Sequence, residues 1–404
     1  MSLLHRKIKR SKLVLVALAA TISVGLLAPS SVSADPKFAD ALVGAGSDTT
    51  MDVMAGLAGF ANGNAFTPIQ SSSDSGSKHI ASWDSKLASH TDNCIAPKLK
   101  APTTYRPNGS SEGRRALSRA IDGTLYGPVD QCGGSKVVTG LFDFARSSSG
   151  PSSGDVGTAL TYIPFGRDAL SVAYYADSSV TTPVTDFTRA QITTLFTTGP
   201  QTINGVEVVP CGIQLGSGTY SSWNGMTTAT TGQEAAATAT CEAAGTVGRI
   251  QENDAAALKA KGDSTALAGK QVIIGFSAAN FIAQGNRVAL SQLAAGVDLG
   301  TISNDGTGAN LGAAYTTSIV DDATLYAPSA TFYASTVFGR NVYNVFDTAR
   351  VTGFGNNDVK SLFVGETSAV CSAAGQETVN AFGFSTIATC GSITLTGSLI
   401  TGIK

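Results

Sequence analysis

Charged side chains are scarce in this chain. Asp, Glu, Lys and Arg make up 14% of its 404 residues, and the formal net charge is −2. A protein that binds the phosphate backbone of nucleic acid needs clustered Lys and Arg, which this composition does not supply. The chain is also too apolar and too weakly charged to be disordered. The sequence therefore predicts a folded protein with no nucleic-acid partner.

Long apolar runs are missing after the N-terminus. The single such run, residues 13–28, follows a positive segment at 5–10 and precedes a Val-Ser-Ala tripeptide at 32–34. This order is typical of a secretory signal peptide that is cleaved after Ala34. We therefore expect a mature chain that begins at Asp35 and is secreted or held in the cell envelope. The alternative is an uncleaved anchor, although the run is somewhat short for the ~20 residues of a membrane span.

Cysteine and histidine are both rare, with six and three copies, and no C-x-x-C pair or zinc-finger spacing occurs. Because the chain carries an export signal, the even number of cysteines favours three disulfides over a metal site. Six cysteines allow ~15 pairings, so the sequence does not fix the connectivity. We prefer nearest-neighbour pairing, which joins Cys94 to Cys132, Cys211 to Cys241 and Cys371 to Cys390.

Short apolar runs alternate with longer amphipathic stretches along the chain. Runs rich in β-branched and aromatic residues, bounded by Gly or Ser, are typical of buried strands, and the longer stretches are typical of helices. Strands that alternate with helices predict an α/β fold with mostly parallel sheets.

Three stretches share one design, a loop of Gly, Ser and Thr that leads into a helical pattern. They are residues 44–50, 109–113 and 216–219. The start of a helix has unpaired N–H groups and a partial positive charge, and the hydroxyls add further donors, so such loops can bind an oxyanion. Each loop alone is weak evidence, because a turn or a helix cap is the commoner explanation of such a stretch. Three of them together favour a binding site.

The order of GAGSDTT, GSSEG, DFARSS, IPFGRDALSVAY, TRAQITTLFTTG, GSGT and VIIGF resembles the substrate-binding proteins of phosphate ABC transporters. The resemblance runs from about Leu42 to Phe276, with a weaker match at 332–346. It implies a class II periplasmic-binding-protein fold, in which two α/β lobes are joined by two hinge strands around a ligand cleft. The first lobe would contain residues 35–170 and 279–404, and the second lobe residues 171–278.

The resemblance also implies a ligand, a small oxyanion with phosphate favoured, and a function in transport rather than catalysis. The protein would be a monomer without a cofactor, with an ABC-transporter permease as a possible partner. The ligand-binding residues carried over are Asp48, Thr49, Ser110, Ser148, Ser217, Gly218 and Thr219.

Two positions depart from the family. Ser148 stands where the family commonly has Asp, and Ile213 stands where it commonly has Arg. Arg146 and Asp48 are the candidates to replace the missing groups, because their loops should border the same cleft. For Arg146, a surface ion pair is an equal alternative. We expect Arg167 to pair with Asp168 near the hinge rather than to touch the ligand.

Two other functions stay open at this stage. A secreted surface or adhesive protein could keep the two-lobe fold and have no transport function, which the two departures favour. A serine hydrolase is the less favoured alternative, since the sequence around Ser217 lacks the G-x-S-x-G spacing and the histidines lie in polar surroundings.

Overall fold

Strands and helices alternate along the residues that the structure, a computed structural model, describes: 35–36, 41–71, 79–85, 93–320 and 322–402. The strands in this part are β1 (Leu42–Gly46), β2 (Phe60–Ala61), β3 (Asn64–Ala65), β4 (Ile80–Ser82), β5 (Cys94–Ile95), β6 (Thr104–Tyr105), β7 (Leu125–Tyr126), β8 (Lys136–Val137), β9 (Phe144–Ser147), β10 (Leu160–Ala176), β11 (Asp186–Thr188), β12 (Gln201–Ile203), β13 (Val206–Pro210), β14 (Gln271–Ser277), β15 (Asp298–Leu299), β16 (Thr301–Asn304), β17 (Tyr315–Val320), β18 (Ala323–Pro328), β19 (Gly339–Asp347) and β20 (Thr396–Gly397).

The α-helices of the same described ranges are α1 (Met51–Leu57), α2 (Ser110–Asp122), α3 (Arg189–Thr198), α4 (Gly218–Thr227), α5 (Thr231–Ala243), α6 (Ala255–Gly262), α7 (Ala278–Gly285), α8 (Ala330–Ala334), α9 (Thr348–Thr352), α10 (Asn357–Phe363) and α11 (Ala373–Ala381). Most of them begin at a Ser, Thr or Asp whose side chain accepts a backbone N–H of the first turn, which stabilises the helix start.

One mixed sheet organises the described part of the chain. Its strand order is β12-β13-β14-β10-β19-β9-β1-β4, and β15 and β20 pair with β10 outside this order. The pairs β1–β4, β1–β9 and β13–β14 are parallel, whereas β10 runs antiparallel to both β14 and β19. The predicted α/β class is confirmed. The predicted predominance of parallel pairing is wrong, because β10 and β19 run antiparallel to every strand they pair with.

Strand β10 connects two regions of the core. Its first part pairs with β19 as far as Ala169, and its second part pairs with β14 from Leu170 onwards. Nearly all of its side chains are buried, which is typical of a strand covered on both faces. The register with β19 shifts between Pro164 and Gly166, where proline lacks the N–H that a regular ladder requires.

Buried apolar side chains form separate clusters on the two parts of β10. One cluster contains Val172 and Trp223, and a second contains Phe165. Leu299 and Phe332 belong to the first cluster, although the sequence-based division assigns them to the other lobe. The division into two lobes stays a prediction. Within that division, their apolar packing assigns Leu299 and Phe332 to the second lobe.

Three disulfides join Cys94 to Cys132, Cys211 to Cys241 and Cys371 to Cys390. The predicted nearest-neighbour pairing is confirmed.

The predicted signal peptide, residues 1–34, lies outside the described residues. None of the helices in the described ranges combines the length and the apolar character that a membrane crossing needs.

Candidate functional site

The three loops rich in Gly, Ser and Thr meet at one buried place. Thr49 Oγ1 lies 3.2 Å from Thr219 Oγ1, and Ser110 Oγ lies 3.3 Å from Ser148 Oγ. The Ser148 N–H also donates to Ser110 Oγ at 3.0 Å. All four side chains are buried. Four of the residues selected from the sequence therefore form two hydrogen-bonded pairs, although up to 170 positions separate the partners.

Each loop leads into a helix, as the sequence predicts: α1, α2 and α4 follow the three loops in turn. At the start of α4 the hydroxyl of Ser217 accepts the N–H groups of Thr219 and Tyr220, at 2.9 and 3.1 Å. Ser217 is thus a helix cap that uses its hydroxyl oxygen as an acceptor. Its hydroxyl proton is left to donate to a second partner, Glu252.

Glycine permits the close approach of the second and third loops. The Ser111 N–H donates to the Gly216 carbonyl at 3.0 Å. A Cβ atom on Gly109, which has a φ of 96°, would lie 2.7 Å from that same carbonyl oxygen. A Cβ atom on Gly218 would overlap Ser148 Oγ. Larger residues at either glycine would therefore separate the loops.

A glutamate that the sequence analysis did not select lies among these loops. Glu252 is fully buried, and its Oε1 accepts the Thr49 backbone N–H at 3.0 Å and also the Thr49 hydroxyl. Its Oε2 accepts the Ser217 hydroxyl. Glu252 belongs to a turn between α5 and α6, far from every Gly/Ser/Thr loop in the sequence, and no motif marks it.

Asp48 is buried beside Glu252. Its Oδ2 accepts the side-chain amide of Gln214 at 2.5 Å, whereas its Oδ1 has no hydrogen-bond partner among the described residues. Burial, and after it the charge of the neighbouring Glu252, raise the pKa of Asp48 well above its ordinary value. The Asp48 carboxyl is therefore neutral over a wider pH range than an exposed aspartate, and in that form it donates a hydrogen bond.

Arg340 is the cation that contacts the site, and the sequence analysis missed it. Its Nη2 donates to Thr219 Oγ1 at 2.6 Å, to Thr49 Oγ1 at 3.3 Å and to Asp168 at 2.8 Å. The side chain is 9% exposed, and its Nη1 is buried without a hydrogen-bond partner in the described part of the chain. Arg340 lies on β19, within residues 332–346. The weaker resemblance of that segment to the phosphate-binding family was the one sequence feature that could have indicated this residue.

Arg146 lies behind the first loop and is fully buried. Its guanidinium donates to the carbonyls of Gly46, Ser47 and Trp83 and to the Ser82 hydroxyl. Burial lowers its pKa to about 10. The alternative of a surface ion pair is wrong, because no part of this side chain is at the surface. Its role as a ligand-binding residue stays a prediction, and the contacts of Arg340 make that residue the better candidate.

Arg167 and Asp168 do not pair with each other, which corrects the sequence-based expectation. Successive residues of a strand point to opposite faces, so these two neighbours on β10 diverge. Arg167 donates to the carbonyls of Tyr333 and Ser335. Asp168, on the other face, is fully buried and forms its ion pair with Arg340.

Ile213 is one of the two positions that depart from the resembled family. Ile213 is 1% exposed and belongs to the apolar core. Ser148, the other departure, contributes a buried hydroxyl next to that of Ser110.

A hydrolase would need a base next to its serine. In the described residues the Ser217 hydroxyl donates to the Glu252 carboxylate, and no histidine contacts it. His79, the single histidine within those residues, is exposed.

The chain resembles solved structures only distantly. One is a protein of Clostridium perfringens described as a phosphate ABC transporter substrate-binding protein with bound phosphate. The two sequences are 14% identical, the match covers 86% of this chain and 99% of that one, and the TM-score is 0.44. Another is an ABC-type phosphate transport receptor from Vibrio cholerae, at 12% identity, 69% and 86% coverage and a TM-score of 0.41. A third is PstS from Borrelia burgdorferi, at 14% identity, 70% and 86% coverage and a TM-score of 0.36.

No model of a known protein family matches the chain, and no curated protein matches it.

Proposed function

We propose that this protein is an exported solute-binding protein that holds a small oxyanion, with phosphate favoured, and delivers it to an ABC transporter. The observation that carries the proposal is the meeting of three hydroxyl-rich loops and one guanidinium at a buried place. Thr49, Ser217 and Thr219 supply hydroxyls, Thr49 also supplies a backbone N–H, and Arg340 supplies the charge. Such donors bind an oxyanion tightly, because each charge-assisted hydrogen bond contributes ~1.5–3 kcal/mol.

The site lies between the two predicted lobes. Thr49, Ser110 and Arg340 come from segments assigned to the first lobe, whereas Ser217 and Thr219 come from the second. Contacts such as the 3.2 Å pair of Thr49 and Thr219 hydroxyls connect the two sets of segments. A ligand at this place would contact both lobes at once, which is how we propose that its binding closes the cleft.

Asp48 sets the proposed preference between phosphate and sulfate. An ionised Asp48 accepts a hydrogen bond, so it tolerates only a ligand oxygen that carries a proton, which phosphate has and sulfate lacks. A neutral Asp48 donates and accommodates either anion. Because the pKa of Asp48 is raised, we expect similar affinities for the two anions in acid and a growing preference for phosphate as the pH rises through that pKa.

The proposal is tested by calorimetry on ligand-stripped protein with phosphate, arsenate, sulfate, phosphonates and organic carboxylates, in acidic and alkaline buffer. We expect phosphate to bind, and Thr219→Val to lower its affinity by at least about tenfold, because one charge-assisted hydrogen bond is lost. Ser217→Ala should do the same, although it also removes the cap of α4.

The matched control is Ser221→Ala, since Ser221 is exposed on the next turn of α4 and its hydroxyl donates to the Ser217 carbonyl, at 3.3 Å, rather than to a side chain of the site. This variant should bind phosphate like the wild type. A protein that responds to none of the anions in either buffer would contradict the proposal.

One observation favours a second function, a secreted surface protein that keeps the fold without transport. Glu252 already uses the donors of Thr49 and Ser217. A chain whose own carboxylate permanently filled the site would need no solute. The same calorimetric panel separates the two functions, because a surface protein of this kind gives no heat with any oxyanion.

A further inference from the structure

Glu252 reaches the site from a turn that is anchored at its back. The Ile250 N–H donates to the Gly212 carbonyl and the Gln214 N–H donates to the Ile250 carbonyl, each at 2.9 Å. This short parallel bridge holds the backbone at Ile250, two residues before Glu252, next to the segment that leads into the third loop. The Glu252 side chain alone extends across to the first loop, where it contacts Thr49.

The contacts of Glu252 use the protons that the proposed oxyanion needs. A Ser or Thr hydroxyl has one proton and an N–H group has one, so neither can donate at full strength to a second acceptor. The Thr49 N–H, the Thr49 hydroxyl and the Ser217 hydroxyl all donate to the two oxygens of Glu252. A carboxylate and a phosphate present the same kind of acceptor to these groups. They therefore compete for one set of donors.

Charge leads to the same conclusion. The guanidinium of Arg340 is already paired with Asp168, at 2.8 Å. A second anion beside Glu252 in this buried place would meet a like charge at short range, and such repulsion is strong where solvent is excluded. Glu252 and an external oxyanion cannot occupy the site together.

We propose that Glu252 is an internal ligand of the site: its carboxylate holds the place of the oxyanion between Thr49 and Ser217, and a solute binds only when it displaces Glu252. The inference depends on the proposed function and specifies how that site is regulated. Displacement requires rotation of one side chain on a turn, since the three donors belong to other segments. The structure is then the self-occupied state of the binding site.

Solute binds only those molecules in which Glu252 is displaced. Its apparent affinity is therefore the intrinsic affinity multiplied by the fraction of such molecules. Glu252→Ala removes the competitor, so we expect it to tighten phosphate binding by at least about tenfold relative to the wild type. Glu252→Gln, which keeps the size but not the charge, should give a smaller gain. The matched control is Glu207→Ala, because Glu207 is 44% exposed and its ion-pair partner is Lys270.

A second measurement tests the internal ligand without phosphate. Removal of Glu252 leaves the Thr49 and Ser217 donors unpaired, so we expect Glu252→Ala to melt at a lower temperature than the wild type. Formate, a free carboxylate of the right chemistry, should restore much of this loss in a concentration-dependent manner. It should leave the wild type and Glu207→Ala unchanged.

The outcomes separate this inference from the proposed function. Formate rescue without phosphate binding to any variant supports the internal ligand and contradicts the solute-binding proposal. Phosphate that binds the wild type and Glu252→Ala equally, or binds the variant more weakly, overturns the internal ligand and leaves the solute-binding proposal standing. Failure of both formate and phosphate to stabilise Glu252→Ala overturns both.

Discussion

Removal of the Arg340 guanidinium is expected to weaken phosphate binding by about tenfold to a hundredfold, the equivalent of ~1.5–3 kcal/mol for one charge-assisted hydrogen bond. The reason is that Arg340 is the cation that contacts the site hydroxyls, through Thr219 at 2.6 Å, while its Nη1 is buried without a partner in the described residues. That unpaired N–H group is the donor we assign to the oxyanion.

The substitution must also deal with Asp168, which is fully buried and paired with Arg340. Breaking such a pair by removing one partner typically costs 3–5 kcal/mol of stability. The appropriate variant is therefore Arg340→Met combined with Asp168→Asn, which removes both charges, measured by calorimetry next to Arg340→Lys, which keeps the charge. The control is Arg350→Met, because Arg350 forms a partly exposed ion pair with Asp143. Unchanged phosphate affinity in the double variant would remove Arg340 from the proposed site.

Full reduction of the three disulfides is expected to destabilise the fold by an amount comparable to its whole stability. The bridges close loops with sequence separations of 38, 30 and 19 residues. In the chain-entropy model each loop of this size contributes about 3–4 kcal/mol, whereas folded domains have only about 5–15 kcal/mol in total. The measurement is thermal and denaturant unfolding with and without a reductant, with reduction confirmed by mass.

Variants that remove one bridge at a time refine this prediction. Because loop length sets the entropic contribution, the pair Cys94 and Cys132 replaced by alanine should lose slightly more stability than the pair Cys371 and Cys390. A midpoint that stays unchanged after complete reduction would mean that the bridges contribute nothing to stability.

Local sequence chemistry predicted a large part of this structure. The Gly/Ser/Thr loops were recognisable because their helix starts are encoded within a few residues, and Ser217 indeed caps α4. The preferred pairing of nearest-neighbour cysteines is confirmed, and its three bridges span sequence separations of 38 residues or fewer. The periodicity of apolar residues predicted the alternation of strands and helices. It did not predict that β10 runs antiparallel to its neighbours, because the relative direction of two strands depends on how segments distant in sequence pair.

Contacts between distant segments were beyond sequence reasoning. Glu252 contacts Thr49 across 203 positions and Arg340 contacts Thr219 across 121 positions, and neither lies in a local motif. The prediction for Arg146 depends on a loop that borders the cleft, whereas Arg146 lies within β9 and its side chain donates to backbone carbonyls. The predicted pair of Arg167 and Asp168 is inconsistent with the alternation of side chains along a strand. The strand pattern around these two residues was recognisable in the sequence.

The most direct test of the central claim is a crystal structure of the protein with arsenate, which shares the shape and charge of phosphate and whose arsenic atom is located by anomalous scattering. We expect one arsenic position, with its oxygens within hydrogen-bond distance of Thr49, Ser217 and Arg340 and with the Glu252 side chain displaced from those donors. Arsenate bound elsewhere, with Glu252 still bonded to Thr49 and Ser217, would contradict the account.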